Sequence, residues 1–174
     1  MARDEVARIG IRAVGSVESG VLAHLVDPIG NAFRRVVRIG KPLKEPDYAY
    51  NPRRGQYLAT SILQRLGGAR LSDEEKLLGV VDRDLYVPDL NFVFGLADPS
   101  AGVALISLTR LRTEFYGQPP NEPLFLDRSV KEALHELGHT YGLAHCPDPD
   151  CVMHFSNSIE DTDRKRAVFC PHCA

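Results

Sequence analysis

Residues His135-Glu136-Leu137-Gly138-His139-Thr140-Tyr141-Gly142-Leu143-Ala144-His145 carry a spacing that suits metal chemistry. Two histidines four residues apart on a helix project side by side, close enough for their imidazoles to share one ion. Glu136 is then carried beside that ion without binding it. Gly142 can adopt the left-handed conformation that ends a helix, so the chain can turn back and bring His145 to the same ion. Three imidazoles leave the fourth position of a tetrahedral zinc open, which is the pattern of a reactive site. Zinc lowers the pKa of bound water to about 7, and Glu136 is the base placed to take a proton and pass it to a leaving amine. A bare H-E-x-x-H arises by chance in helices. The glycine break and the third histidine are what ordinary surface or core histidines would leave unexplained.

All 4 cysteines lie in the tail, at Cys146, Cys151, Cys170 and Cys173. Two short-spaced pairs suit a tetrahedral thiolate zinc site, and closed sites of that kind contribute folding energy rather than chemistry. Such a site would pin the tail beside the reactive helix, in a region too short to build much core of its own. Cys146 directly follows His145, and neighbouring side chains diverge, so the expectation is two separate ions. The competing arrangements are a pair of disulfides, a redox role for Cys170-Pro171-His172-Cys173, and His172 replacing one thiolate. The charged start Met1-Ala2-Arg3-Asp4-Glu5 lacks the apolar stretch of a secretory signal, so a cytoplasmic address with reduced thiols is expected. The C-x-x-C also lacks the flanking strand-helix-strand pattern of a redox motif.

The elements that must position these residues follow from the apolar spacing. Ser129-Val130-Lys131-Glu132 has the form of a capping box, which predicts a helix from Ser129 to Tyr141. Val130, Leu134, Leu137 and Tyr141 form its buried stripe, with His135 and His139 on the adjacent face. Upstream, Val6–Val14 alternates as a strand, Val17–Val26 is spaced as a short helix stopped by Pro28, and Ala32–Ile39 reads as a second strand. Lys41–Pro52 reads as a loop. A helix starting at Asn51-Pro52 carries Leu58, Ile62, Leu63 and Leu66 and ends at Gly67-Gly68; it should back a sheet. Leu77–Val81, Asn91–Leu96 and Val103–Leu108 read as three more strands, giving five, and the proline-rich stretch Leu111–Pro123 as an irregular connection.

The chain has 174 residues, enough for one core, and a formal charge of -2, which offers no footprint for nucleic acid or an anionic membrane. No apolar run is long enough to span a bilayer. Arg164, Lys165 and Arg166 are offset by Glu160, Asp161 and Asp163, which reads as a solvated helix face rather than a nucleic-acid patch. The expected organisation is one domain over residues 1–174, with an upper part to residue 142 and a lower part over 143–174; a monomer is plausible.

The histidine motif matches every specified position of the metzincin signature, and the tail as a whole resembles the archaemetzincin family of metallopeptidases. Cys146 directly after the motif, Cys151, Met153 and the Cys170/Cys173 pair stand in that family's order. The interval between Met153 and Cys170 is one residue shorter than the family's usual spacing, which a loop would absorb. The resemblance implies an α+β fold with a twisted, mixed five-stranded sheet, a backing helix, an active-site helix, and a small zinc-stapled lower subdomain with a last helix. It further implies peptide-bond hydrolysis at a zinc on His135, His139 and His145, with Glu136 as base. Met153 would pass beneath that ion in a turn, and a second, structural zinc would sit on Cys146, Cys151, Cys170 and Cys173. Peptide or protein substrates would lie in the cleft along a sheet edge strand. Some metzincins carry a tyrosine two residues after the turn methionine; here that position is Phe155, and His154 is the nearest alternative electrophile. The reading from another class is a non-catalytic zinc protein that binds a peptide or chain terminus.

Overall fold

A computed structural model describes residues 7–174. Val6, which the expected first strand includes, lies outside the described residues. The main sheet contains β1 (Arg8–Val14), β2 (Val36–Ile39), β5 (Glu74–Val81), β7 (Gly95–Asp98) and β8 (Val103–Ser107), in the order β2-β1-β5-β8-β7. The first three pairings are parallel, and β7 runs antiparallel to β8 at the edge. This is the expected mixed, five-stranded sheet. A second, three-stranded sheet of β3 (Tyr50–Asn51), β4 (Gln56–Leu58) and β6 (Leu85–Tyr86) was not foreseen; its strands are too short for an alternating pattern to show.

Side-chain alternation sorts the core into two layers. Leu78, Val80, Ala104 and Ile106 join Ile9, Ile11 and Ala13 on the face covered by α1 (Ser19–Phe33) and α3 (Glu122–Thr140). Leu77, Val81, Val103 and Leu105 face the other way, onto Ile62, Leu63 and Leu66 of α2 (Ala59–Ala69), the expected backing helix. Arg12, opposite in direction to Ile11 and Ala13, is buried and paired with Glu74 at 2.8 Å.

Three helix boundaries differ from expectation, each for a local reason. Pro28 does not stop α1: the helix runs on to Phe33 because Ile29, four residues after Leu25, is fully buried on the same stripe. The expected second strand therefore loses Ala32 and Phe33 to that helix. Asn51-Pro52 opens a turn between β3 and β4 rather than a helix, with Asn51 Oδ1 accepting from Arg53 N at 3.1 Å, and α2 begins only at Ala59. The active-site helix begins at Glu122, not Ser129. Asn121 caps it by accepting from Leu124 N at 3.2 Å, and Pro123 sits in the first turn, where its missing N–H costs nothing. Ser129 lies mid-helix, its hydroxyl donating to Phe125 O at 2.8 Å. The connection ahead of it, expected to be irregular, contains 3-10 turns over Thr109–Leu111 and Thr113–Tyr116.

After α3 the chain folds back beneath the helix and ends with α4 (Ile159–Arg164), the expected last helix. Asp161 closes its start by accepting from the backbone of Asn157 and Ser158 at 3.0 and 3.1 Å. No helix among the described residues is long and apolar enough to cross a membrane.

Candidate active site and metal centres

Helix α3 delivers His135 and His139 to one side of the cleft, one turn apart. Gly142, at φ +89°, reverses the chain directly after the helix, in a conformation an L side chain rarely adopts, and His145 returns to the pair. The three ring centroids lie 4.7, 4.9 and 5.3 Å apart. His135 Nε2 and His139 Nε2 are 3.1 Å apart, near the roughly 3.3 Å edge of a tetrahedron of zinc–nitrogen bonds. The other nitrogens are engaged: His135 Nδ1–H donates to Val152 O at 2.8 Å and His139 Nδ1–H to Leu143 O at 2.7 Å. Carbonyl partners of this kind fix the tautomer and aim Nε2 at an ion. The donor set and its spacing therefore fit the implied zinc.

Electrostatics favour neutral ligands. Burial, then the nearby Lys165 charge, push His135 down to about 2, so its imidazole stays unprotonated. Glu136 is buried, and burial followed by the charge of Glu132 raises its carboxyl to about 8. A carboxylate in that setting is a far stronger base than one in water. All three histidines and Glu136 line a cavity of about 760 Å³, whose other walls include Gly95, Leu96 and Ala97 of β7, Phe92, Phe155 and Ser156.

Two glycines make room for this arrangement. A Cβ on Gly138 would lie 2.5 Å from Met153 Sδ, so the methionine packs directly against the helix that carries the histidines. A Cβ on Gly95 would lie 2.6 Å from Glu136 Cγ, so the edge strand passes close over the carboxylate. Sequence reasoning missed both; a glycine inside a helix was the available signal for Gly138.

The four cysteines also converge. All are free thiols, with their sulfurs within 4.8 Å of one another. Cys146 Sγ and Cys170 Sγ are 3.7 Å apart, close to the roughly 3.8 Å edge of a tetrahedral zinc–thiolate site. Cys146 and Cys151 belong to the core beneath α3, with Cys170 and Cys173 packed against it. His172 is absent from the cluster of converging ligand atoms, which the four thiols make up by themselves. His154 does not point to the cleft chemistry either: its Nδ1 bonds Cys146 O at 2.9 Å, a structural tie.

The basic run near the end of the chain corrects an expectation. Arg164 and Arg166 are exposed, but Lys165 is 1% exposed, its ammonium 3.3 Å from Glu132 Oε1 and 3.4 Å from His135 Nδ1. Asp163 pairs with the buried Arg128 at 2.7 Å. The expected solvated face holds for Arg164 and Arg166, but Lys165 turns inward and places a buried charge pair directly behind a predicted ligand.

A sequence profile described as peptidase family M54 matches residues 36–174. The chain belongs to that family. It is 48% identical over 166 residues to an archaemetzincin of Pyrococcus furiosus, covering 92% of this chain and 86% of the relative. Its fold superposes on a crystal structure of an archaemetzincin from Methanopyrus kandleri with a TM-score of 0.85 at 38% identity, covering 98% of this chain and 93% of the other. A zinc-dependent peptidase from Methanocorpusculum labreanum gives a TM-score of 0.87 at 33% identity, covering 95% and 97%. The archaemetzincin resemblance seen in the tail therefore extends over the fold. This M54 chain is a metallopeptidase, a hydrolase, with a histidine triad and a cysteine tetrad that can each hold metal.

Proposed function

We propose that the chain hydrolyses peptide bonds at a zinc held by His135, His139 and His145, with Glu136 moving the protons, and that Cys146, Cys151, Cys170 and Cys173 hold a second, structural zinc. The observation that carries this reading is the histidine triad opening onto the same cavity as a buried glutamate. When bound, zinc supplies a Lewis acid that polarises a carbonyl and acidifies water. Glu136 takes a proton from the attacking water and returns it to the leaving amine; its raised affinity for protons suits both halves of that task. Strand β7 pairs with β8 on one side only, and its Gly95–Ala97 stretch lines the cavity, so an extended peptide can add there as a further strand. Met153, 0% exposed, supports the ligand helix from below. Phe155 carries no hydroxyl and His154 does not line the cavity, so oxyanion stabilisation would fall chiefly to the ion.

Residues 143–174 act in this reading as a zinc-stapled lower part beneath an upper part ending at residue 142. A thiolate site suits the reducing cytoplasm. The substrates are peptides or proteins rather than nucleic acid.

The test incubates zinc-loaded protein with peptides having free and blocked termini, with and without chelator, and reads cleavage by mass spectrometry. Chelator-sensitive cleavage that disappears in Glu136→Ala, with zinc content unchanged, is expected. Zinc-dependent peptide binding without cleavage would favour the non-catalytic alternative.

A further inference from the structure

The buried ammonium of Lys165 sits against a member of the histidine triad. Nζ lies 3.4 Å from Nδ1 of His135, the ring nitrogen that does not face His139. This contact is not a hydrogen bond. To present Nε2 to an ion, His135 must carry its proton on Nδ1, and that proton goes to Val152 O at 2.8 Å. The ammonium therefore meets another donor, while its own hydrogens go to Glu132 Oε1 at 3.3 Å and His154 O at 3.5 Å. Glu132 lets the lysine stay charged in the core. Its carboxylate also accepts from Thr162 Oγ1 at 3.1 Å, and it makes no bond to the imidazole. Of the two charges, the cation is the one that touches the ligand.

A metal-binding histidine ordinarily has a carboxylate, carbonyl or water at its other nitrogen, which raises its basicity as a ligand. A cation at that place pulls electron density the other way. We infer that Lys165 is a positioning residue acting through His135: by holding a positive charge against that ring it weakens the hold of the triad on zinc and leaves the ion more electrophilic. The inference rests on the hydrolytic reading above, and there it gives the lysine a use. Phe155 has no hydroxyl to share the charge of an oxyanion, so polarisation of the scissile carbonyl falls to the ion and grows with its electrophilicity.

A purely structural role predicts the opposite sign. If Lys165 only ties the end of α4 to α3 and to the turn after Met153, losing it loosens His135 and weakens zinc binding.

The test compares the parent with two neutral replacements of the pair, Lys165→Met with Glu132→Gln and Lys165→Gln with Glu132→Gln, each with its cysteine site filled. Zinc affinity of the histidine site is read by competition with a chelator, and its coordination by the visible spectrum after cobalt substitution. Loss of the Glu132 charge by itself weakens the binding of a cation, so a net tightening reports Lys165. Zinc bound about tenfold more tightly is expected in both variants, with the tetrahedral cobalt spectrum retained and kcat for peptide cleavage about tenfold lower at unchanged KM. Unchanged or weaker zinc binding in a variant that keeps the circular dichroism of the parent overturns the inference and leaves the peptidase reading intact. Tighter zinc binding in the variants, with no peptide cleaved by the parent, supports the action of Lys165 on the ligand and overturns the peptidase reading.

Discussion

The two ligand clusters meet at a single peptide bond, between His145 and Cys146, yet they differ in almost every physical respect. The histidines run from buried His135 through His139 to exposed His145, and all three line the cleft. The cysteines lie among or against the core, away from that cavity, with four soft donors that would close a tetrahedron. Beside the histidines stands a buried carboxylate of raised pKa; beside the cysteines stand Val152 and Met153, both 0% exposed. In the proposed reading, a single peptide bond thus separates a site that exchanges ligands from one that does not. The difference would lie in the number of donors and in access to the cleft rather than in the ion.

The comparison breaks most sharply at Glu136. Glu136→Ala should lower peptide cleavage by roughly 10²–10⁴-fold, read by initial rates, while both ions remain by elemental analysis. Cys151→Ala should do the opposite at the level of structure: one ion is lost and thermal stability falls by several kcal/mol, because structural zinc binding is folding free energy. Lys165→Met tests the buried charge pair behind His135. It leaves Glu132 buried without its countercharge, at a cost of about 3–5 kcal/mol in urea unfolding, and adding Glu132→Gln should recover much of that. Gly138→Ala places a methyl against Met153 Sδ and should cost about 1–3 kcal/mol, reversing the usual helix preference for alanine.

A further effect is a pH dependence in protein from which only the first ion, that of the histidines, has been removed. Glu136 is raised from 4.5 to about 8 in the fold, so the folded state holds more protons than the unfolded chain between those values. Its contribution to stability is therefore full below about pH 4.5 and is lost as pH rises through 8. Glu136→Gln should flatten that component, read as the difference between the variant and parent urea midpoints across pH 5–9.

Much of this was legible in the sequence for reasons of periodicity and donor spacing. The four-residue step from His135 to His139 holds on any helix, the alternation of β1 reads as a strand, and the short apolar runs of β5 and β8 are bounded by turn residues. Helix boundaries were less legible because local signals competed. Pro28 lost to the buried stripe of Leu25 and Ile29, and Ser129 resembled a cap although Asn121 with Pro123 supplied the actual start. Lys165 was misread because charge patterning cannot reveal that Glu132, far away in sequence, waits for it in the core. Gly95 gave no sequence signal, since its importance comes from Glu136, which packs against it.

The most direct test of the account is a stepwise chelator titration that follows zinc content, peptide cleavage and circular dichroism on the same samples. Two zinc ions per chain are expected; loss of the first should abolish cleavage with the fold retained, and loss of the second should unfold the protein. A chain holding one zinc, or cleavage that survives loss of the first ion, would contradict the division between an open histidine site and a closed cysteine site.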